Sequence, residues 1–309
     1  MEGKKKKSDR LRTVLLFVVF IIGLSLLLYP TVANYWNSMH QTHAITRYSE
    51  SVAQMDDDKF AEMWEAAYRY NATVPPRITR GVLSEEDQLL YNETLNMGGS
   101  GVMGYIEIPE IDVSLPIYHG TSEGVLQVAV GHLDWSSLPT GGEGTHCVLS
   151  GHRGLPSAKL FTQLDQLVEG DVFMLRVLDE ILTYEVDQIL IVEPQDTSAL
   201  GIVPNADLCT LVTCTPYGIN THRLLVRGHR IENAEEAKSV TITSEMIQVD
   251  QMIVATVLAC PVLLLLLLLV FLPSGGNSSA KVRKSISADQ RIVVTKTKKG
   301  KVNRVNRRR

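Results

Sequence analysis

The sequence predicts a mainly β domain, a closed barrel or sandwich of about 130 residues with sparse short helices. It also predicts that this domain lies between two membrane-spanning helices. Three observations carry the prediction. From Val102 onward, short β-prone runs alternate with turn residues. Two apolar runs, Val14 to Tyr29 and Met252 to Leu272, approach or reach the roughly 17–25 residues that cross a bilayer. Each run is flanked by basic residues on the side away from the β-prone region.

The flanks set the topology. Lys4, Lys5, Lys6, Lys7, Arg10 and Arg12 precede the first run, and 12 Lys and Arg follow the second. Basic flanks stay in the cytoplasm, so both termini are expected inside and residues 30–251 outside. Val32 and Ala33 resemble the small residues before a signal-peptide cleavage site. The next segment continues as a helix, however, so a retained span is expected. The net charge of −4 hides an asymmetry, because the external segment holds 12 basic and 31 acidic residues. A domain this acidic does not bind nucleic acid by charge. The basic tail reads as a topology signal with lipid-headgroup contact.

These boundaries give a basic cytoplasmic N-terminus (1–12), a transmembrane helix (13–29) and an external helical and linker region (30–101). The β domain (102–232), a linker (233–251), a second transmembrane helix (252–272) and a basic cytoplasmic tail (273–309) follow.

Tyr35 to Arg69 reads as helical, with Phe60, Met63, Trp64, Ala67 and Tyr68 on one face. Asp56, Asp57 and Asp58 suit a helix N-terminus. Ser84 caps a short helix, Gln88 to Leu95, and Gly98-Gly99-Ser100-Gly101 marks a boundary. The strand candidates are Met103–Ile108, Leu115–Tyr118, His146–Ser150, Val172–Val177, Ile181–Val186, Ile189–Val192, Leu208–Thr213 and Arg223–Val226. A hairpin turns near Asp179-Glu180. One helix interrupts the strands: Ser157 caps it, and Leu160, Phe161, Leu164 and Leu167 form its apolar face.

The chemistry concentrates in residues 210–230. A β-prone run delivers Cys214 to its end, Pro216 and Gly218 turn the chain, and a second run starts at Arg223. If the two runs pair, Cys214 and Arg223 meet at the mouth of the connection. A thiol beside a fixed cation is a candidate nucleophile, because positive charge favours the thiolate. A buried strand cysteine before an ordinary turn fits the same stretch. Cys260 lies in the second apolar run as a packing residue. Cys147, Cys209 and Cys214 show no paired or metal-ligand spacing. Alternation puts Cys209 and Cys214 on opposite strand faces, which argues against a disulfide between them. Of the eight histidines, His152 is favoured as the proton partner, because it follows a strand and sits between Gly151 and Gly154. His132 and His119 are its rivals, and His146 reads as structural.

Several of these segments resemble the sortases, the cysteine transpeptidases of Gram-positive surfaces, and in particular the class C, pilus-assembling sortases. Thr210-Leu-Val-Thr-Cys214 matches their cysteine signature, and Ser150-Gly-His-Arg-Gly-Leu-Pro-Ser-Ala-Lys-Leu-Phe161 their histidine segment. Gly104-Tyr-Ile-Glu-Ile-Pro109 and Leu115-Pro-Ile-Tyr-His-Gly-Thr121 look like their opening strands. Cys214-Thr-Pro-Tyr-Gly-Ile-Asn-Thr-His-Arg223 matches their cysteine-to-arginine connection. The resemblance covers residues 102–231. It implies a closed eight-stranded barrel, with Cys214 as nucleophile, His152 as acid/base and Arg223 as the group that orients substrate and stabilises charge. It implies cleavage of an LPxTG-like sorting signal and transfer to a lysine of another pilin. No metal or organic cofactor is required. The implied partners are pilin or surface-protein substrates and the membrane. One departure stands out: class C sortases commonly carry a lid with an Asp-Pro-aromatic motif, and residues 70–101 contain no such triplet. A weakly held or missing lid is expected. A housekeeping sortase, a non-enzymatic exported adhesin or scaffold, and a cysteine hydrolase are the competing readings.

Overall fold

The computed structural model of the protein describes residues 2–73 and 83–233. Val74-Pro75-Pro76-Arg77 of the candidate lid and the whole second apolar run lie outside the described residues. Eight strands form a closed barrel: β1 (Val102–Ile108), β2 (Val113–His119), β3 (Val130–His132), β4 (Thr145–Ser150), β5 (Val172–Val177), β6 (Glu180–Val192), β7 (Asp207–Thr215) and β8 (His222–Ile231). Their order around the barrel is β1-β2-β3-β4-β7-β8-β6-β5. β2–β3 and β4–β7 are parallel, and the other pairs are antiparallel. Closure leaves no free sheet edge.

Two predicted runs are one strand. Ile181–Val186 and Ile189–Val192 both belong to β6, because the register shift between Val186 and Gln188 absorbs Asp187 as a bulge. Asp187 takes both hydrogen bonds of a bidentate pair from Arg227, each at 2.9 Å. The three residues of β3 show no alternation of their own, and they extend because they fit between β2 and β4.

The predicted helix beginning at Ser157 does not form. The chain there is a series of turns ending in a short 3-10 helix, Leu164–Gln166, and Leu160 is left-handed at φ 41°. The apolar spacing nevertheless predicted burial: Leu160, Phe161, Leu164 and Leu167 are all buried. Periodicity here reports which side chains leave water, and the backbone reaches the same end by turns.

The N-terminal region contains α1 (Glu2–Ala53), α2 (Asp57–Thr73) and α3 (Glu85–Glu93). The predicted stretch Tyr35 to Arg69 is thus two helices. Asp56 starts the second by accepting from the Lys59 amide at 2.9 Å. α2 buries Ala67, Tyr70 and Asn71, whereas Tyr68 points to solvent and stacks on Trp64. Ser84 caps α3 by accepting from the Asp87 amide, as expected. Val14–Ala53, within α1, is long and apolar enough to cross a membrane.

Where it is described, the region predicted to hold a loose lid sends several side chains into the core, while Ser84, Glu85, Glu86 and Leu89 stay exposed. Tyr70 and Tyr91 are completely buried, and Leu95 and Met97 join them. The Tyr91 hydroxyl accepts from the Gly120 amide at 2.8 Å and lies 3.0 Å from His132 Nδ1. Deleting residues 70–101 removes these groups, so the shortened protein is expected to lose its cooperative thermal transition. An unchanged Tm would contradict this packing. The weakly held lid survives as an expectation only for residues 74–82.

The barrel has two apolar sides. Ile106, Ile117, Leu149, Phe173, Leu175, Tyr184, Leu211 and Val226 fill the interior. Val148, Val212, Leu225 and Leu200 form a smaller cluster on the outer face. Along β7 the alternation sends Cys209 and Leu211 inward, and Val212 and Cys214 outward. The predicted opposition of Cys209 and Cys214 holds, and all three described cysteines are free thiols.

Candidate active site

β7 and β8 place Cys214 directly opposite Arg223. Directly opposed residues of an antiparallel pair have Cβ atoms about 4.5–5.5 Å apart on one face. Strand pairing therefore sets Cys214 and Arg223 side by side where β7 ends and β8 begins. Arg223 Nη1 is tied to its own connection, donating to His222 O at 3.2 Å and Asn220 O at 3.4 Å. This leaves the other guanidinium donors of Arg223 for a ligand.

His152 comes from the neighbouring strand, β4. Parallel pairing of β4 with β7 sets Ser150 beside Val212. The same offset continues past the strand end. Thr213 Oγ1 donates to Gly151 O at 2.8 Å, and Arg153 Nη1 donates to Thr215 Oγ1 at 3.2 Å. Both bonds span 62 positions. That offset puts His152 level with Cys214. Three consecutive strands, β4, β7 and β8, thus bring His152, Cys214 and Arg223 to one end of the barrel.

The predicted rivals of His152 are structural. His132 is fully buried and bonds to Tyr91, Ser136 and Ser137. His119 spans the carbonyls of Gly101 and Thr94, and burial lowers its pKa. His146 joins Gly201 O to Thr210 Oγ1, as a structural histidine should. Cys147 and Cys209 face each other across β4 and β7 inside the barrel. Burial pushes the Cys209 thiol well up, and both thiols are shut away from the outer face.

Two residues around His152 escaped the sequence reading. Glu123 begins α4 (Glu123–Leu126), and its Oε2 lies 3.9 Å from His152 Nε2. No sequence spacing signals that approach. Arg153 stood inside the quoted histidine segment without a role. Its side chain is 8% exposed and links three segments: Thr215 beside Cys214, Asp165, and the Tyr217 ring 6.0 Å away. It holds the histidine loop against the end of the cysteine strand.

Gly151 is where that loop passes closest to the core. A Cβ there would stand 2.7 Å from the Phe161 ring, which is fully buried and cannot yield cheaply. Gly151→Ala is expected to destabilise the domain by about 1–3 kcal/mol and to displace His152. Thermal denaturation with a rate measurement checks this, and wild-type values for both would contradict it.

The outer face offers a groove of about 260 Å³ whose lining includes Arg223, Asp134 and Asp196. Leu133, Trp135, Leu200, Val212 and Leu225 give it apolar walls. Among the described residues, no cluster of His, Cys, Asp or Glu could hold a metal ion.

Comparison with known proteins agrees with the closed eight-stranded barrel. The sortase domain family matches residues 106–231. Sortase D of Bacillus subtilis is 30% identical over 163 residues, covering 52% of this chain and 79% of the relative. Sortase A of Streptococcus agalactiae is 25% identical over 242 residues, covering 76% and 92%. Among solved structures, sortase C1 from Streptococcus agalactiae superposes with a TM-score of 0.61 at 49% identity, covering 62% of this chain and 100% of that one. Sortase C from Streptococcus pneumoniae gives a TM-score of 0.55 at 47% identity, covering 62% and 97%. The chain belongs to the sortase family of cysteine transpeptidases, and its structural neighbours are class C sortases.

Proposed function

We propose that this chain is a membrane-anchored sortase that joins pilin subunits, with Cys214, His152 and Arg223 as its catalytic groups. The observation that carries the assignment is the shared level of the three residues: Cys214 pairs with Arg223 across β7 and β8, and the β4–β7 offset brings His152 alongside. The Cys214 thiolate attacks the backbone carbonyl of the threonine in an LPxTG-like signal. Arg223 donates hydrogen bonds to the oxygen as it gains charge. The C–N bond breaks, His152 supplies the proton that the leaving amine needs, and an acyl-thioester remains on Cys214. A lysine amine of a second subunit then attacks the thioester. The C–S bond breaks, His152 takes the amine's proton, and an isopeptide bond forms. The apolar groove beside Arg223 suits the leucine and proline that precede the threonine.

Membrane attachment is supported by α1, whose Val14–Ala53 stretch meets the requirements of a span. The two-pass topology, with both termini cytoplasmic and the barrel outside, rests on the second apolar run and on the basic flanks. The pilus reading is supported by the neighbours. The Streptococcus pneumoniae sortase C is described in terms of pilin substrate specificity, and one sortase C1 belongs to a pilus island. A housekeeping role, attachment to a cell-wall precursor, has some support in the sortase A relatives. Offering both acceptors to the full-length protein decides between the two. Covalent polymer with a pilin-domain lysine on a denaturing gel supports pilus assembly. Transfer to a wall-peptide amine alone supports the housekeeping role.

A further inference from the structure

The face of α1 that meets the barrel changes character along its length. Asn34, Asn37, Gln41, Ile45, Tyr48 and Val52 recur at steps of three or four residues, which puts them on one stripe. The distal end of the stripe is a packing surface. Ile45 and Tyr48 are buried, and the Tyr48 hydroxyl donates to Met103 O at 3.1 Å and accepts from the Leu178 amide at 2.7 Å. The end nearer the apolar run is polar, and all three of its residues bond to backbone, two of them to the loop that follows His152. Asn37 Nδ2 donates to Ser157 O at 2.9 Å, and Asn34 Oδ1 accepts from the Lys159 amide at 3.0 Å. Gln41 Nε2 donates to Val128 O at 2.6 Å, just beyond the turn that carries Glu123.

Ser157 and Lys159 lie at the tip of the loop that begins at His152. The loop is closed at its base by the Phe161 amide donating to His152 O at 3.1 Å. Its tip has little regular structure of its own: one isolated bridge, Leu155 to Ala158, precedes the left-handed Leu160. Ala158 and Leu160 are buried against the core, and the exposed backbone beside them is held by groups outside the loop. The two asparagines on α1 are such groups, one supplying a donor and the other an acceptor.

We propose that Asn34 and Asn37 are positioning residues for His152. The helix that leads to the membrane then doubles as one wall of the catalytic scaffold. Neither asparagine reaches the reacting atoms; each acts through the backbone of the histidine loop. The proposal rests on the assignment of His152 as the acid/base. It explains why a stripe that packs through apolar residues further on becomes polar at the histidine loop.

The test uses full-length protein in lipid nanodiscs, an LPxTG-type peptide and an amine acceptor. It adds hydrogen exchange of residues 155–160 and thermal denaturation. Asn34→Ala with Asn37→Ala is expected to lower kcat about tenfold, to leave KM within about twofold, and to speed exchange of the loop amides. Asn34→Asp keeps the acceptor and should stay near wild type. Asn37→Asp loses the donor and faces the Ser157 carbonyl with a carboxylate, so it should match the double variant. Unchanged kcat and unchanged exchange in the double variant overturn the proposal. So does an equal loss in both aspartate variants with a lowered Tm, because that pattern reports helix stability. If His152→Ala is as active as wild type, the acid/base assignment fails instead. The exchange data then still decide whether α1 holds the loop.

Discussion

Cys214→Ala is expected to abolish acyl-adduct formation and to lower transfer by about 10⁴-fold or more, with the barrel still folded. The mutation removes the only described thiol on the outer face. Cys147 and Cys209 point into the barrel and are buried, so neither substitutes for it. Stability should hardly change, because Cys214 is half-buried at a strand end and lies outside both apolar clusters. Intact-mass spectrometry after incubation with an LPxTG-type peptide reads the first effect, and circular dichroism the second. An adduct that persists in the variant contradicts the cysteine assignment.

Arg223→Lys is expected to lower kcat/KM by about 10²-fold, although the charge is kept. Arg223 uses one nitrogen on the carbonyls of its own connection, which fixes the orientation of its guanidinium plane. A lysine has no second nitrogen to offer once it makes such a bond. It presents a point charge on a flexible stem where two fixed donors are needed. The loss should fall mainly on kcat, because the charge on the carbonyl oxygen develops in the transition state. Steady-state kinetics checks this. A loss confined to KM would make Arg223 a substrate-binding group only.

The site was more legible in the sequence than the scaffold around it. Cys214 and Arg223 announced themselves because a two-run pattern with Pro216 and Gly218 between implies paired strands, and pairing alone makes the two meet. His152 was harder. Its level with Cys214 depends on the parallel pairing of β4 with β7, two strands separated by about 60 positions, and no local pattern encodes that register. The motif resemblance supplied what the spacing could not. Elsewhere the apolar pattern reported burial faithfully and backbone shape less well. Leu160, Phe161, Leu164 and Leu167 carry helical spacing, yet they reach the core through turns. β3 was invisible because its three residues extend only when sandwiched between neighbours. The burial of Tyr70 and Tyr91 is hidden for a related reason: it depends on contacts with distant residues, which the missing Asp-Pro-aromatic triplet does not record. Glu123 and the asparagines of α1 depend on the docking of elements far apart in the chain, which local sequence does not record.

The central claim is that Cys214 carries the acyl group between two substrates. Full-length protein incubated with an LPxTG-type peptide, quenched in acid and digested, should show the acyl mass on the Cys214 peptide. Adding a pilin-domain lysine before the quench should remove that mass as the isopeptide product appears. A product that forms while Cys214 stays unmodified at every time point, or an acyl group found on another residue, would contradict the account.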